Sequence, residues 1–459
     1  MKYSDFMIQN TAIRINCTGK ELLKISFPLM LGSILEVFYN LTDTYFLGKL
    51  GVNAVGAPSI TFNVIFFLMI FGIGISGAGT TLIAQSRGQG NPRKMRHYLN
   101  QMALLVMLFG VFLGSAGFML TPYILQLLQT PQAIFSNARA YMQIILVGMP
   151  FSFIYFILQS GYAAIGKTKV PFIVHLCAVL LNVILDPLLI YGIKPFPALG
   201  VTGAALATII AQSVAALVSL YILIVKRSVL RLSFHEMKPQ LRSWSLFFKI
   251  GLPSSIGQGL SALGFSVLQG LVNSFGAGTI AAFGVGNRIM SLFDIPTHSL
   301  ATGVTSLSGR AMGAKQDDKL PVILRQAVLI LTLLEIPLLA ASVVWGGDLV
   351  RFFVNDPETV RLGDIMFKLV SPSLYLFGLY MVLTGVFQGA GDTKIIMVLA
   401  IARLWVIRVP TAYLLASITT LGPLSIWVGM FVSNFLTALI GFLYFRTGRW
   451  RLALAKHTI

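Results

Sequence analysis

Apolar residues run in long stretches from near residue 24 to near residue 446, separated by short polar segments. Each stretch is about 20 residues or longer, the length a helix needs to cross the hydrocarbon core of a bilayer. The stretches do not alternate as barrel strands do. Twelve spans are predicted, at 24–47, 56–84, 98–121, 138–160, 170–193, 201–225, 245–274, 281–308, 322–345, 367–388, 395–418 and 424–446. Several hold residues that break soluble helices: Gly72 and Gly74, Pro150, Pro187, Pro253, Pro296, Pro337 and Pro372. In membrane helices neighbouring groups re-satisfy the freed backbone, and such positions serve as bends. The predicted fold class is an all-α polytopic membrane protein.

The pattern occurs twice. Lys24-Ile-Ser-Phe-Pro28 matches Lys249-Ile-Gly-Leu-Pro253, and Ser86-Arg-Gly-Gln-Gly90 is echoed by Gly309-Arg-Ala-Met-Gly313. Ile165-Gly-Lys-Thr-Lys169 is echoed by Ala390-Gly-Asp-Thr-Lys394, and the offset stays at 223–225 residues. Two pseudo-symmetric six-helix lobes follow, 1–225 and 245–459, joined by a basic linker at 226–244. Each lobe has an even number of spans, so both enter the membrane in the same orientation. Parallel repeats with a site at or between them are a transporter architecture.

Composition agrees. The chain has 459 residues, 56% hydrophobic and 11% charged, and a mean hydropathy of +0.82; no soluble domain has that balance. Residues 1–20 are polar and mixed, so no cleavable signal is predicted. Cys17 and Cys177 are the only cysteines and make no disulfide framework. A net charge of +19 in a soluble protein would point to nucleic acid. Here the charges lie between apolar runs: 25 of the 34 Lys and Arg fall on one side of the predicted topology and six on the other. The expectation is a multi-pass protein of a prokaryotic plasma (inner) membrane, with both termini cytoplasmic and no nucleic-acid partner.

Carboxylates inside these spans are the candidate chemistry. Glu36, Asn40 and Asp43 share one face of the first span at helical spacing. An ionised Asp at mid-membrane costs about 2.5–3.5 kcal/mol on insertion scales, so it implies function and a partner. The fifth span supplies Asn182 and Asp186, four residues apart, with His175 two turns earlier. The sixth places Thr208 on a small-residue face, Gly203-Ala-Ala-Leu-Ala-Thr208. Asp43, Asn182, Asp186 and Thr208 are expected to converge in one cavity of the N-terminal half. Two carboxylates at low dielectric share a proton, while the amide and hydroxyl complete a hydrogen-bond network or an oxygen cage for a small cation. Asp43 aligns with Leu268 in the second half, so this site is not duplicated.

Glu36 is a candidate for cationic substrate or for tuning Asp43. Tyr39, Phe62, Phe66, Tyr155 and Phe265 are candidates for an aromatic cavity that attracts organic cations. Asp294 and His298 are four apart and able to pair; Glu335, Arg403 and Arg408 read as interhelical contacts or cavity lining. Gly161-Tyr-Ala-Ala-Ile-Gly166-Lys167-Thr168 fits the phosphate-loop pattern, which works only between a strand and a helix. Here it ends an apolar span, and its repeat counterpart has Asp392 in place of the lysine. A nucleotide hydrolase is therefore the weaker rival.

The chain resembles the multidrug and toxic compound extrusion (MATE) family. The resemblance is carried by Asn40-Leu-Thr-Asp43-Thr, Gly48-Lys-Leu-Gly51, Gln85-Ser-Arg-Gly-Gln-Gly90, Asn182-Val-Ile-Leu-Asp186-Pro-Leu, Gly200-Val-Thr-Gly-Ala-Ala-Leu-Ala-Thr208 and Gly389-Ala-Gly-Asp-Thr393, in family order along the whole chain. It implies a twelve-helix antiporter exchanging proton or sodium for amphipathic, often cationic small molecules, with no cofactor and as a monomer. The family's N-lobe ion site maps onto Asp43, Asn182, Asp186 and Thr208, and Asp186 resembles the DinF-like branch. NorM-like relatives carry a second acidic site on the seventh and tenth helices. Here those stretches read Ile256-Gly-Gln-Gly-Leu-Ser-Ala262 and Tyr375-Leu-Phe-Gly-Leu379, without a carboxylate. Proton coupling is the expectation, with Na+ at the same four residues as the alternative. A flippase or exporter of a lipid-linked or narrow-range metabolite is the other reading; a headgroup of that kind calls for a cationic cavity.

Overall fold

A computed structural model describes residues 18–193, 197–225 and 229–452, and every regular element among them is helical. The helices are α1 (Gly19–Gly48), α2 (Val52–Gly88), α3 (Pro92–Leu127), α4 (Gln132–Ala164), α5 (Lys169–Tyr191), α6 (Val201–Ile224) and α7 (Leu241–Ser274). They continue as α8 (Ala277–Gly313), α9 (Leu320–Val344), the short α10 (Gly346–Arg351), α11 (Pro357–Ala390), α12 (Thr393–Ile401), α13 (Val409–Ile418) and α14 (Leu424–Thr447). A π-helical turn, Ala402–Arg408, joins α12 to α13 in one span. Among the described residues eleven spans are long and apolar enough to cross a membrane. The remaining predicted span, the eighth, is α8, which is 37 residues long but interrupted by Arg288, Asp294 and His298. At 1.5 Å per residue a helix of 37 residues is about 55 Å long and overshoots a core of about 30 Å. Cys17 lies outside the described residues, as do Lys2, Arg14, Lys194, Lys226, Arg227 and Lys456 of the charge pattern; Cys177 is an exposed free thiol.

Helix starts follow local chemistry. Asn91 caps α3 by accepting the Lys94 N–H at 3.0 Å, with Pro92 in the first turn. Asp356 caps α11 in the same way, accepting the Thr359 N–H at 2.8 Å, with Pro357 following.

The described chain forms two compact units. One, called here the N-unit, is Phe27–Arg87 with Asn91–Leu252; the C-unit holds the described residues up to Ser26, Gly88–Gly90 and those from Pro253 onward. The predicted linker at 226–244 therefore falls inside the N-unit, and the change-over lies within α7. Side chains on α3 explain this. Buried Asn100 accepts the Ser233 N–H (3.0 Å) and donates to Glu236 Oε2 (3.2 Å). Buried Gln101 donates to the Lys238 carbonyl (2.7 Å) and accepts from the Gln240 N–H (3.1 Å) and the Trp244 indole (2.9 Å). His97 meets Ser243 Oγ at 2.8 Å. Residues 233–244 are thus strapped to α3.

α1 likewise changes unit between Ser26 and Phe27. Leu22 and Ile25 are buried in the C-unit core with Leu300, Val304 and Leu307. Glu21 pairs with buried Arg310 of α8 at 3.2 Å, and Arg310 also donates to Ser306 Oγ at 2.8 Å. A second C-unit core surrounds Phe283, Phe367 and the fully buried Trp427.

Candidate functional site

The polar cluster of the N-unit draws on four helices. α1 brings Tyr39 and Asp43, α5 brings Asn182 and Asp186, α6 brings Thr208 and α4 brings Tyr141. Asn182 and Asp186 are fully buried and Thr208 is 4% exposed. α5 and α6 hold this geometry because their ends touch backbone to backbone. Leu199 N–H donates to the Leu189 carbonyl (2.9 Å) and Gly200 N–H to Ile190 (3.1 Å). A Cβ at Gly203 would stand 2.4 Å from the Leu189 carbonyl oxygen, so only glycine permits the approach.

The hydrogen-bond order is set by chemistry. The Asn182 amide nitrogen donates to Asp43 Oδ1 at 3.2 Å while its oxygen accepts the Thr208 N–H at 3.2 Å. That end of the amide lies 3.4 Å from Asp186 Oδ1, a separation that becomes a hydrogen bond when the Asp186 carboxyl carries a proton. Asp43 and Asp186 themselves lie within hydrogen-bond reach of one another. A bond between two carboxyls requires one proton between them, and the dyad titrates as a unit. Tyr39 donates to Thr208 Oγ1 at 2.8 Å, and Thr208 Oγ1 donates to the Ala204 carbonyl at 3.0 Å. The chain Tyr39–Thr208 and the triad Asp43–Asn182–Asp186 therefore share α6.

Tyr141 also faces this cluster, with its hydroxyl within electrostatic reach of both Asp43 and Asp186. No motif marks it; one tyrosine among 14 carries no signal until α4 is placed against α5. Tyr191, donating to the Phe46 carbonyl at 2.7 Å, also went unmarked and pins the end of α1 to α5.

Glu36 stays outside the dyad but within electrostatic reach of Asp43. It is exposed and pairs with His175 Nε2 at 3.3 Å, and the His175 ring stacks on Tyr155 at 5.6 Å. Asn40 is exposed, and its amide donates to the Glu36 carbonyl on its own helix at 2.8 Å. Helical spacing put 36, 40 and 43 on one face, but side-chain length lets Asn40 satisfy itself locally. Phe62 and Phe66 are exposed and stack on each other at 6.0 Å. Phe265 belongs to the C-unit, where it lies under the Arg408 guanidinium at 5.5 Å. Arg408 is held by neutral partners, Ser433 Oγ at 2.9 Å and Asn434 Oδ1 at 2.7 Å.

A protein-family model described as MatE matches residues 28–188 and again 253–414. The chain belongs to the MATE family. The two matches begin at Pro28 and Pro253, the positions equated by the internal repeat. Among relatives, a "Probable multidrug resistance protein YpnP" of Bacillus subtilis is 29% identical over 433 residues, 94% of this chain and 96% of that one. An "FAD transporter" of Shewanella oneidensis is 28% identical over 347 residues, 75% of this chain and 76% of that one. In fold, the chain is similar to the "Crystal structure of MATE in the straight conformation", with a TM-score of 0.89 at 24% identity over 98% of this chain and 99% of that one.

MATE proteins are transporters, so the chain is not an enzyme. Gly161–Thr168 fits that conclusion. It closes α4 and opens α5 with no strand before it, and Arg87 donates to the Ile165 carbonyl at 2.5 Å within the turn. The arginine satisfies a helix-end carbonyl, the ordinary need of such a terminus.

Proposed function

We propose that this MATE protein is a secondary antiporter that exports amphipathic, often cationic organic compounds in exchange for protons through Asp43 and Asp186. The observation that carries the reading is the meeting of Asp43, Asn182, Asp186 and Thr208 in one largely buried cluster. The relationship to the B. subtilis multidrug resistance protein supports the substrate class. Protonation of the dyad removes a charge from the end of α1 and re-aims the Asn182 amide, which couples proton occupancy to the position of α1 against α5 and α6. Release of the proton restores the repulsion. A potential of 100 mV supplies about 2.3 kcal/mol per charge, and one pH unit about 1.4 kcal/mol. For a monovalent cation exchanged one for one the voltage contribution cancels and the pH contribution drives transport. The protein works as a monomer of the DinF-like branch in a prokaryotic inner membrane, with both termini cytoplasmic.

The test is efflux of a fluorescent cationic dye from proteoliposomes, driven separately by a pH gradient and by a sodium gradient. Drive by pH alone, lost in Asp43→Asn, is the expected outcome. Undiminished pH-driven efflux by Asp43→Asn overturns the scheme, and drive by sodium alone gives the same site to Na+. A second reading, export of a narrow-range aromatic metabolite, is favoured by the relationship to an FAD transporter. It predicts no dye movement under either gradient by folded protein.

A further inference from the structure

The C-unit has its own buried carboxylate, and nothing in the scheme above uses it. Glu335, on α9, is fully buried in a span-forming helix. One of its oxygens accepts the Thr297 hydroxyl of α8. The other, Oε2, has no hydrogen-bond partner. It lies against Gly378 of α11, where a Cβ would come within 2.9 Å of it. The glycine thus makes room for a carboxyl group that the fold leaves half satisfied.

The charges around it do not neutralise it. On α8, Asp294 is within electrostatic reach and of the same sign. His298 and Arg403 act on Asp294 rather than forming an ion pair with Glu335. From α11, Tyr375 shares its hydroxyl with Thr332 at 2.8 Å, and Tyr380 lies beneath Arg403 at 5.7 Å. From α10, Asp348 is engaged with Arg351 at 3.1 Å. Arg403 is carried on the π-helical turn and sits 4.7 Å from the Phe377 ring. Asp294 therefore has cationic neighbours, while Glu335 has a hydroxyl, a glycine and an acid. An ionised carboxylate in that setting bears a desolvation cost of several kcal/mol with no counter-charge to offset it. A proton removes the charge.

We propose that Glu335 is a second proton-binding site, lodged between α8, α9 and α11 and served by Asp294 and His298. His298 is exposed, Asp294 is half-buried one turn before it, and Thr297 beside His298 bonds Glu335 directly. Imidazole, aspartate and glutamate are thus graded in burial, with Glu335 the most buried. The carboxyl is carried on α9 and lies against Gly378 of the tenth-span stretch, which itself has no carboxylate. It does not rest on proton coupling at Asp43.

Dicyclohexylcarbodiimide, which modifies protonated carboxyls in apolar surroundings, is the probe. Whole protein in lipid nanodiscs is treated at pH 7 and digested for mass spectrometry. A freely hydrated glutamate is protonated in about 0.2% of molecules at that pH, so modification of Glu335 should exceed that of surface carboxylates by about 100-fold. The adduct should form equally in Asp43→Asn, which separates this proposal from the N-unit scheme. In infrared spectra, Glu335→Gln should lose one protonated-carboxyl stretching band at unchanged helix content. No adduct on Glu335 in a digest where other carboxyls are modified overturns the proposal, as does a band that survives in Glu335→Gln. The labelling arm uses the unaltered chain and stands even where the variant does not fold.

Discussion

Tyr39 donates its hydroxyl to Thr208 at 2.8 Å across 169 residues of sequence, tying the half of α1 that carries Asp43 to α6. Removing that hydroxyl is the mildest available test of whether α1 is held by this contact. Tyr39→Phe keeps the ring and should cost about 0.5–1.5 kcal/mol, the net worth of one hydrogen bond. Thermal unfolding in detergent measures it. A change within error would show that the ring, and not the hydroxyl, positions α1.

The backbone approach of α5 to α6 is a separate support. Gly203→Ala forces a methyl group toward the Leu189 carbonyl, and overpacking of this kind costs about 1–3 kcal/mol. Gly284→Ala on α8, where a Cβ meets nothing within 4 Å, should change stability by no more than about 1 kcal/mol. Comparing the two by size-exclusion recovery after heating distinguishes a crowded contact from a general intolerance of alanine.

Trypsin reads the strap. Lys238 and Arg242 lie in the segment that Gln101 fastens through three hydrogen bonds. Gln101→Leu leaves the Lys238 carbonyl, Gln240 N–H and Trp244 indole without that partner. Cleavage at Lys238 or Arg242 should then accelerate by about tenfold, as local opening becomes easier by roughly 1.4 kcal/mol. An unchanged digestion rate would assign the hold to Asn100 and His97 instead.

At the start of α11 the prediction concerns pH. The Thr359 hydroxyl (2.6 Å) and then its N–H (2.8 Å) hold the Asp356 carboxyl below the usual carboxylate range. A carboxyl lowered in the folded state contributes stability at neutral pH, and the contribution fades as pH falls through that lowered value. Asp356→Ala should therefore lower the melting temperature at pH 7 and have no effect once the pH is well below that range. An equal loss at both ends would make the cap purely steric.

Much of this molecule is legible from periodicity. Long apolar runs gave the spans because burial in lipid and helical hydrogen bonding act on every residue of a run. α8 was found in the same way despite Arg288, Asp294 and His298, since its length and repeat partner marked it. Asp43 and Asp186 stood out because carboxylates in apolar runs are costly, Asn182 because it lies four residues before Asp186, and the structure brings the three together. For Asn40, spacing gives the face of the helix and not the bond that a short amide makes with its own backbone. The π-helical turn at Ala402–Arg408 left no trace in the pattern; one extra residue in a turn shifts the face without altering the apolar composition. Glu335 was visible as a residue but not as a site, because its meaning lies in what Gly378 and Thr297 do or fail to supply.

The strap on α3 has a consequence for how the doubled chain is read. Near this point the repeat offset is 223 residues, so Asn100 and Gln101 correspond to Ile323 and Leu324. Both of those are buried apolar core residues on α9. The two copies are therefore not interchangeable. In the first copy polar side chains at these positions bind the polypeptide that leads into the second, while the second copy keeps hydrocarbon there, in the core that also holds Trp450. The order of the halves is recorded in the molecule itself, and a chain assembled in the reverse order would present Ile323 and Leu324 to a connector whose carbonyls and N–H groups they are unable to satisfy.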